Sequence, residues 1–181
     1  TEGKPTVTDV LRTGGAAADE LLQLAASAET GSEHPLGQAI VRGAQEKGLT
    51  LLKAEGFMSL TGRGIEAAVN GRAILAGNRK LMDERGIPLS ELETDSDRLA
   101  AEGKTPMFLA VDGKLMGIVA VADVMKQSSK AAIDSLHRMG IEVAMITGDN
   151  KKTAAAIARQ VGIDRVLAEV LPQDKAGEVK K

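Results

Sequence analysis

The feature that most constrains the fold is an apolar stretch, Ile141-Glu142-Val143-Ala144-Met145-Ile146, that ends in Thr147-Gly148-Asp149-Asn150. Five of its first six residues are apolar, which predicts a strand buried on both faces of a parallel sheet. A hydroxyl, a glycine and a carboxylate follow at the carboxyl end of this strand, the edge where open α/β sheets bind ligands. A plain turn is the alternative, because Gly, Asp and Asn are common turn residues.

A downstream lysine favours a site over a turn. Lys175 follows one helix-and-strand interval later, in Leu171-Pro172-Gln173-Asp174-Lys175, where a parallel crossover returns it to the same edge. The Thr147 hydroxyl, backbone N–H groups around Gly148 and Asp149, and the Lys175 ammonium would hold a phosphoryl group by hydrogen bonds and opposite charge.

Composition limits the ligands and partners. With 181 residues and 43% hydrophobic content, the chain can build one large or two small domains, and we expect it to be soluble. It has no cysteine, hence no disulfide or thiolate ligand, and we predict no metal site of its own. A net charge of −2 with mixed signs gives no case for nucleic acid. Phe57 and Phe108 are the only aromatic residues, so a flat ligand must be held mostly by aliphatic side chains, histidine and backbone.

The first third of the chain predicts a helical hairpin. After a strand at residues 7–11, apolar spacing predicts one helix over residues 16–29 and a second from Pro35 to Gly48. Ser32 is the expected N-cap of the second helix, and Pro35 is tolerated in its first turn. The corner between the helices is Glu29-Thr30-Gly31-Ser32-Glu33-His34-Pro35-Leu36.

The middle of the chain predicts antiparallel sheet. Asn70-Gly71 lies between strands at 65–69 and 73–76, and Asp112-Gly113 lies between strands at 107–111 and 114–121. Gly62-Arg63-Gly64-Ile65 precedes the first hairpin. A dinucleotide fingerprint would need a helix at this point, so a bulge, a tight turn or a close backbone approach to a ligand remains.

Capping residues predict two further helices, and the pattern then changes. Asn78 is expected to cap a short helix, and Ser90-Glu91-Leu92-Glu93 reads as a capping box. Beyond Asp123 we predict a helix from Ser128, a helix at 153–161, a strand at 165–168 and a helix start at Pro172. This βαβ alternation predicts a parallel sheet. The boundary between the two architectures falls near residues 119–123.

Six motifs together carry a family resemblance: Ser32-Glu33-His34-Pro35-Leu36, Gly62-Arg63-Gly64-Ile65, Gly77-Asn78, Asp123-Val124-Met125-Lys126, Thr147-Gly148-Asp149-Asn150 and Leu171-Pro172-Gln173-Asp174-Lys175. In this order and spacing the chain resembles the heavy-metal-transporting branch of the P-type ATPases, and the copper exporters most closely. The resemblance implies an α+β nucleotide-binding domain over residues 1–120. A partial α/β domain of the haloacid-dehalogenase type would follow over residues 121–181.

The resemblance also implies roles for individual residues. Glu29 and His34 would meet adenine at the helical corner, Gly62, Gly64 and Ile65 would lie along the phosphate chain, and Gly77 and Asn78 would line the same cleft. Thr147, Gly148, Asp149 and Lys175 would form the catalytic phosphoryl site. Asp123 and Lys126 would be the hinge that lets one domain present ATP to the other.

The implied cofactors are ATP and Mg²⁺, and the implied setting is the cytoplasmic part of an integral membrane pump. Its partners would be ATP or ADP, the membrane and actuator domains, and a metallochaperone. The family's Asp-Lys-Thr-Gly-Thr nucleophile and the segment that would help hold Mg²⁺ are not within these residues. We therefore expect the polypeptide to bind nucleotide but to form no acid-stable phosphate adduct.

Two alternatives stay open at this stage. One is a haloacid-dehalogenase-type phosphatase in which residues 1–118 form a cap domain. The other is a non-enzymatic regulator that binds nucleotide and contacts a partner through the antiparallel sheet.

Overall fold

A computed structural model describes residues 4–15, 17–123, 126, 128–171 and 174. Six strands form an antiparallel sheet, in the order β1-β6-β5-β4-β3-β2. The strands are β1 Thr6–Arg12, β2 Ala54–Leu60, β3 Gly64–Val69, β4 Arg72–Gly77, β5 Thr105–Val111 and β6 Lys114–Ala122. Four helices accompany them: α1 Ala18–Ala28, α2 Pro35–Glu46, α3 Arg79–Glu84 and α4 Glu93–Ala101, with a 3-10 turn at Glu29–Gly31 after α1.

Helices cover both faces of this sheet. Alternate residues of β5 point to opposite sides, so that Leu109 and Val111 pack with α1 and α2 while Phe108 and Ala110 pack with α3 and α4. Strands β5 and β6 are therefore almost continuously apolar and buried. The predicted helical hairpin and both predicted β-hairpins are confirmed. Asn70 and Asp112 have φ of 49° and are each followed by a glycine of positive φ, as a two-residue hairpin turn requires.

The remaining elements form a small α/β piece. It comprises α5 Ser128–Arg138, β7 Ala144–Ile146, α6 Lys151–Val161 and β8 Arg165–Leu167. Strands β7 and β8 are parallel, as predicted. The expectation that the strand in 141–146 is buried on both faces is wrong, because Ala144 is exposed and Met145 and Ile146 are half-buried. In the described residues, β8 is the only strand paired with β7, so the apolar run lacks the flanking strands that would bury it.

The α/β piece packs against the six-stranded part through α4 and α6. The buried hydroxyl of Thr153 donates to the carbonyl oxygen of Lys104 at 2.7 Å. Lys152 forms an ion pair with Asp97, and this lowers the pKa of the Asp97 carboxyl group, chiefly through the side-chain hydrogen bond. These contacts fix α6, which follows the Thr147-Gly148-Asp149 turn, relative to the larger sheet.

One strand was not predicted, and two local predictions are wrong. Strand β2 was missed, because Gly56 has φ of 62° and lies within a bulge between Glu55 and Met58, which interrupts the alternating pattern. His34, not Ser32, is the N-cap of α2. The helix assigned to the Ser90 capping box begins at Glu93, after Leu92, which makes no side-chain cap hydrogen bond.

The predicted fold class, an antiparallel α+β part joined to a partial α/β part, is confirmed. The helix start at Pro172 lies outside the described residues. None of the helices in the described segments is long and apolar enough to cross a bilayer.

Candidate functional site

Glu29 lies at the corner of the helical hairpin with its side chain turned inward. It is 2% exposed, and its Oε2 atom has no hydrogen-bond partner in the described part of the chain. Burial raises the pKa of this carboxyl group, and a hydrogen bond with Ser32 partly offsets the increase. Gly37 in the first turn of α2 lies directly against the carboxyl group.

His34 is exposed and caps α2 with its ring. Its Nδ1 atom accepts a hydrogen bond from the backbone N–H of Leu36 at 3.2 Å, while its own backbone N–H donates to Ser32 Oγ. A neutral imidazole that accepts at Nδ1 carries its proton at Nε2. The cap therefore fixes the tautomer and leaves Nε2–H as a donor to a ligand.

A contact that sequence analysis missed connects this corner to the sheet. A methyl group added at Gly31 would lie 3.0 Å from the ring of Phe57 in β2. Three residues further along β2, Leu60 pairs with Gly64. At about 3.3 Å per residue, the corner and the glycine segment are about 10 Å apart along the strand. The sequence did not indicate this contact, because the strand that carries Phe57 was not predicted.

Gly64 and Gly77 face each other across β3 and β4. A side chain at Gly64 would overlap the carbonyl oxygen of Ala76, and one at Gly77 would overlap that of Arg63. The backbones pass too closely for any Cβ atom, so the sheet itself requires both glycines. Of the three glycines predicted for the nucleotide site, Gly62 is the exposed one, and it lies in the loop before β3 with φ of 69°.

Asn78 holds this loop in place. Its Oδ1 atom accepts from the N–H of Leu81 at 3.1 Å and caps α3, as predicted, while its Nδ2 donates to the Gly62 carbonyl at 2.8 Å. Its backbone N–H donates to the Arg63 carbonyl, also at 2.8 Å. The motifs around Gly62 and Gly77 thus form one hydrogen-bonded unit. Ile65 packs its side chain into the core, and its backbone lies in β3 between the paired strands β2 and β4.

The Thr147-Gly148-Asp149 turn follows β7 at the predicted sheet edge. Thr147 Oγ1 donates to Asp149 Oδ2 at 2.8 Å and accepts from the Asp149 N–H at 3.1 Å. The hydroxyl and carboxylate are therefore close together but bonded to each other. Gly148 is exposed, and an added methyl group would lie 3.6 Å from the Val170 carbonyl oxygen. Lys175, the predicted cation of this site, lies outside the described residues.

The two predicted hinge residues lie in the connection between β6 and α5. Asp123 Oδ1 accepts from the N–H of Lys4 at 3.2 Å, which links the connection to the start of β1. Lys126 is exposed, and its carbonyl accepts from the N–H of Ser129 in the first turn of α5.

Two cavities in the described part of the chain lie elsewhere. One, of about 480 Å³, is lined by residues that include Arg72 and Lys114, and the other, of about 190 Å³, lies between β1 and α2. Neither cavity is lined by the corner or the Gly62 loop, and a methyl group added at Gly62 would lie 3.0 Å from the side chain of Leu171. Among the described residues, no three His, Asp or Glu side chains are grouped to hold a metal ion.

Comparison with known proteins decides the family. The family model of haloacid dehalogenase-like hydrolases matches residues 1–181. The chain belongs to the haloacid dehalogenase-like hydrolase family.

Individual similar proteins describe the likeness more closely than the family model does. This haloacid dehalogenase-like hydrolase is 50% identical to a copper-exporting P-type ATPase of Staphylococcus aureus (strain bovine RF122 / ET3-1), over all of this chain and 22% of that protein. It superposes on a zinc-transporting PIB-type ATPase with a TM-score of 0.69 and 37% identity, over 98% of this chain and 28% of the other. The N-domain of a copper-transporting P-type ATPase matches 65% of this chain over 98% of its own length, with a TM-score of 0.55 and 27% identity.

The predicted resemblance to copper-exporting P-type ATPases is therefore confirmed. This haloacid dehalogenase-like hydrolase spans less than a quarter of the length of the curated relatives that it matches.

Proposed function

We propose that this chain is the ATP-binding portion of a copper-transporting P-type ATPase. Residues 1–120 would bind the nucleotide, and residues 121–181 would belong to the domain that receives its phosphoryl group. Relatives that are 46–50% identical over the whole chain and carry the name of copper transporters or exporters support this assignment. The N-domain match, over about two-thirds of the chain, supports the division.

The observation that carries the proposal is the unit formed by Gly62, Arg63, Gly77 and Asn78. The segments before and after the β3–β4 hairpin are joined by the Asn78 side chain and backbone, and these hydrogen bonds restrain the Gly62 loop. Backbone without side chains lets a phosphate chain approach closely. A rigid loop makes that approach without a further loss of conformational entropy.

Adenine would bind at the helical corner. His34 offers Nε2–H as a donor whose orientation is set by the α2 cap, and a purine ring nitrogen is a matching acceptor. The distance of about 10 Å from the corner to Gly64 along β2 is within the reach of a nucleotide. The nucleotide would thus extend from the corner to the Gly62 loop.

Phosphoryl transfer would take place at the Thr147-Gly148-Asp149 turn. The γ-phosphoryl group of ATP would pass to an aspartate that is not among these 181 residues, and ADP would leave. Thr147 would exchange its hydrogen bond to Asp149 for one to a phosphoryl oxygen, and Lys175 would offset the developing charge. Mg²⁺ would shield the phosphates, held by groups outside the described residues.

The same assignment places the chain on the cytoplasmic side of a membrane protein. Asp123 and Lys126 would act as the hinge that brings the two parts together around ATP. The membrane and actuator domains of the pump would be its partners.

Two His34 variants test the nucleotide site. His34→Asn keeps a side-chain acceptor for the α2 cap but removes the Nε2–H donor, whereas His34→Ala removes both. We expect each variant to bind ATP roughly tenfold more weakly, the value of about one hydrogen bond. Only His34→Ala should also lose stability, by about 1 kcal/mol, in thermal unfolding.

Isothermal titration with ATP and GTP supplies the readout. Wild type should prefer ATP, and the His34 variants should lose most of that preference. Unchanged ATP affinity in both variants would contradict the proposal and favour a phosphatase whose first part is a cap.

A further inference from the structure

The Glu29 carboxyl group occupies a space that exists because residue 37 is glycine. A methyl group at Gly37 would overlap Glu29 Oε2 and lie 2.8 Å from Ser32 Oγ. Gly37 is itself buried, in the first turn of α2. We call this placement of the side chain the inward position of Glu29.

The free-energy cost of burying Glu29 in the inward position is only partly offset. Oε2 has no hydrogen-bond partner in the described residues, and a buried acceptor without a donor is costly. Ser32 provides one hydrogen bond, and the N-terminus of α2 favours negative charge nearby. An outward rotamer would return this oxygen to solvent and remove that cost.

A contact between Glu29 and a purine bound at this corner requires the opposite orientation. A carboxyl group that is 2% exposed cannot accept a hydrogen bond from a bound purine. His34, five residues later, is exposed at the same corner and needs no rearrangement. Of the two polar groups assigned to adenine, only Glu29 is withdrawn.

We propose that the space left by Gly37 allows Glu29 an inward position that competes with nucleotide binding. ATP binding would then require the Glu29 side chain to turn outward. This inference rests on the proposed function and adds a conformational regulation to its adenine site. Gly37 is then a positioning residue that weakens binding by giving Glu29 an alternative place to lie. Apparent affinity is reduced by the fraction of molecules in which the site is competent.

Gly37→Ala tests the inference, because it removes the inward space while alanine remains compatible with the helix. The methyl group would displace the end of the flexible Glu29 side chain, which can move outward, and would also press on Ser32 Oγ. We expect Gly37→Ala to bind ATP more tightly, by roughly threefold to tenfold if the inward position is held by about 70–90% of molecules.

Gly43→Ala is the matched control. Gly43 lies in the same helix, and a methyl group there would meet Val7 Cγ2 of β1 at 2.8 Å, away from Glu29. Its ATP affinity should remain that of wild type. A gain of similar size in both variants would indicate a general effect of helix stabilisation and would overturn the inference.

Glu29→Ala separates this inference from the proposed function. If Glu29→Ala binds ATP as tightly as wild type, Glu29 has no role in binding and the proposed adenine contact is wrong. If Glu29→Ala binds weakly while Gly37→Ala shows no gain, only the inward position is wrong. In the Glu29→Ala background, Gly37→Ala should have no effect on affinity.

A measurement on the wild-type chain does not depend on whether the variants fold. In the absence of nucleotide, nuclear Overhauser contacts should connect the γ protons of Glu29 to the α protons of Gly37. Saturation with ATP should remove them. Contacts that persist at full strength in the saturated complex would overturn the inference.

Discussion

At the residue scale, two polar side chains at one helical corner have opposite environments. His34 is exposed and bonded through one ring nitrogen, whereas Glu29 is buried with one oxygen unpaired. Their types and positions were predictable from the sequence. Their environments were not predictable from the sequence. Ser32 is the better N-cap by propensity, and only the packed corner shows that the His34 ring caps α2.

Glu29→Gln should change how stability depends on pH. Burial raises the pKa of Glu29 in the folded chain, so its folded state favours the protonated form. The contribution of Glu29 to the free energy of unfolding is fully present below the ordinary glutamate pKa. It is lost as pH rises through the raised pKa of the folded state. Glutamine does not titrate, so Glu29→Gln should be more stable than wild type at pH 7, by about 1.4 kcal/mol for each unit of pKa increase.

Urea unfolding at pH 4 and pH 7 measures this difference. The stability gain of Glu29→Gln should vanish at pH 4. Glu33→Gln, at an exposed neighbouring position, should show no such trend. A Glu29→Gln gain of equal size at both values of pH would show that charge is not the cause.

At the element scale, hairpins and helices were predictable where one local signal dominates. Asn70-Gly71 and Asp112-Gly113 specify their turns through backbone conformation alone. Strand β2 was not predictable, because the bulge at Gly56 disrupts its alternation and its pairing with β3 is a tertiary contact. The close crossing of Gly64 and Gly77 was likewise invisible, since it depends on the register between two strands.

Asn78→Ala should reduce both stability and ATP affinity. It removes the α3 cap and the hydrogen bond that holds the Gly62 carbonyl. We expect a loss of about 1–2 kcal/mol in the free energy of unfolding. We also expect severalfold weaker ATP binding, because the Gly62 loop gains freedom that binding must then remove.

Asn150→Ala is the matched control for this change. Asn150 caps α6 in the same way, accepting from the Thr153 N–H at 2.9 Å, but it lies outside the Gly62 loop. It should lose similar stability and retain wild-type ATP affinity. Equal losses of affinity in the two variants would contradict a specific role for the loop.

At the scale of the whole molecule, two architectures meet through α4 and α6. The change from antiparallel to βαβ patterning near residue 120 was predictable because it is a change of period along the chain. The contact between the two parts was not predictable, since nothing in the sequence indicates that the Thr153 hydroxyl donates to the Lys104 carbonyl oxygen. The low burial of β7 could not be foreseen from its apolar run either, because burial depends on which strands flank it.

Thr153→Val should loosen this contact. Valine has a similar shape but leaves the Lys104 carbonyl without its donor and also loses the hydrogen bond from Asn150 Nδ2. We expect a loss of about 1–3 kcal/mol in stability, with faster amide hydrogen exchange in both α4 and α6. Ser135→Ala, which removes an exposed hydroxyl bonded within α5, should change stability by less than about 0.5 kcal/mol. Faster exchange confined to α6 would show that α4 does not depend on the contact.

The central claim is that one nucleotide extends from the helical corner to the Gly62 loop. Titration of the isotope-labelled chain with ATP, followed by backbone amide chemical shifts, tests it most directly. Glu29, His34, Gly62, Gly64 and Gly77 should shift together along one binding curve. Shifts confined to the cavity around Arg72 and Lys114, with the corner and the Gly62 loop unchanged, would contradict it.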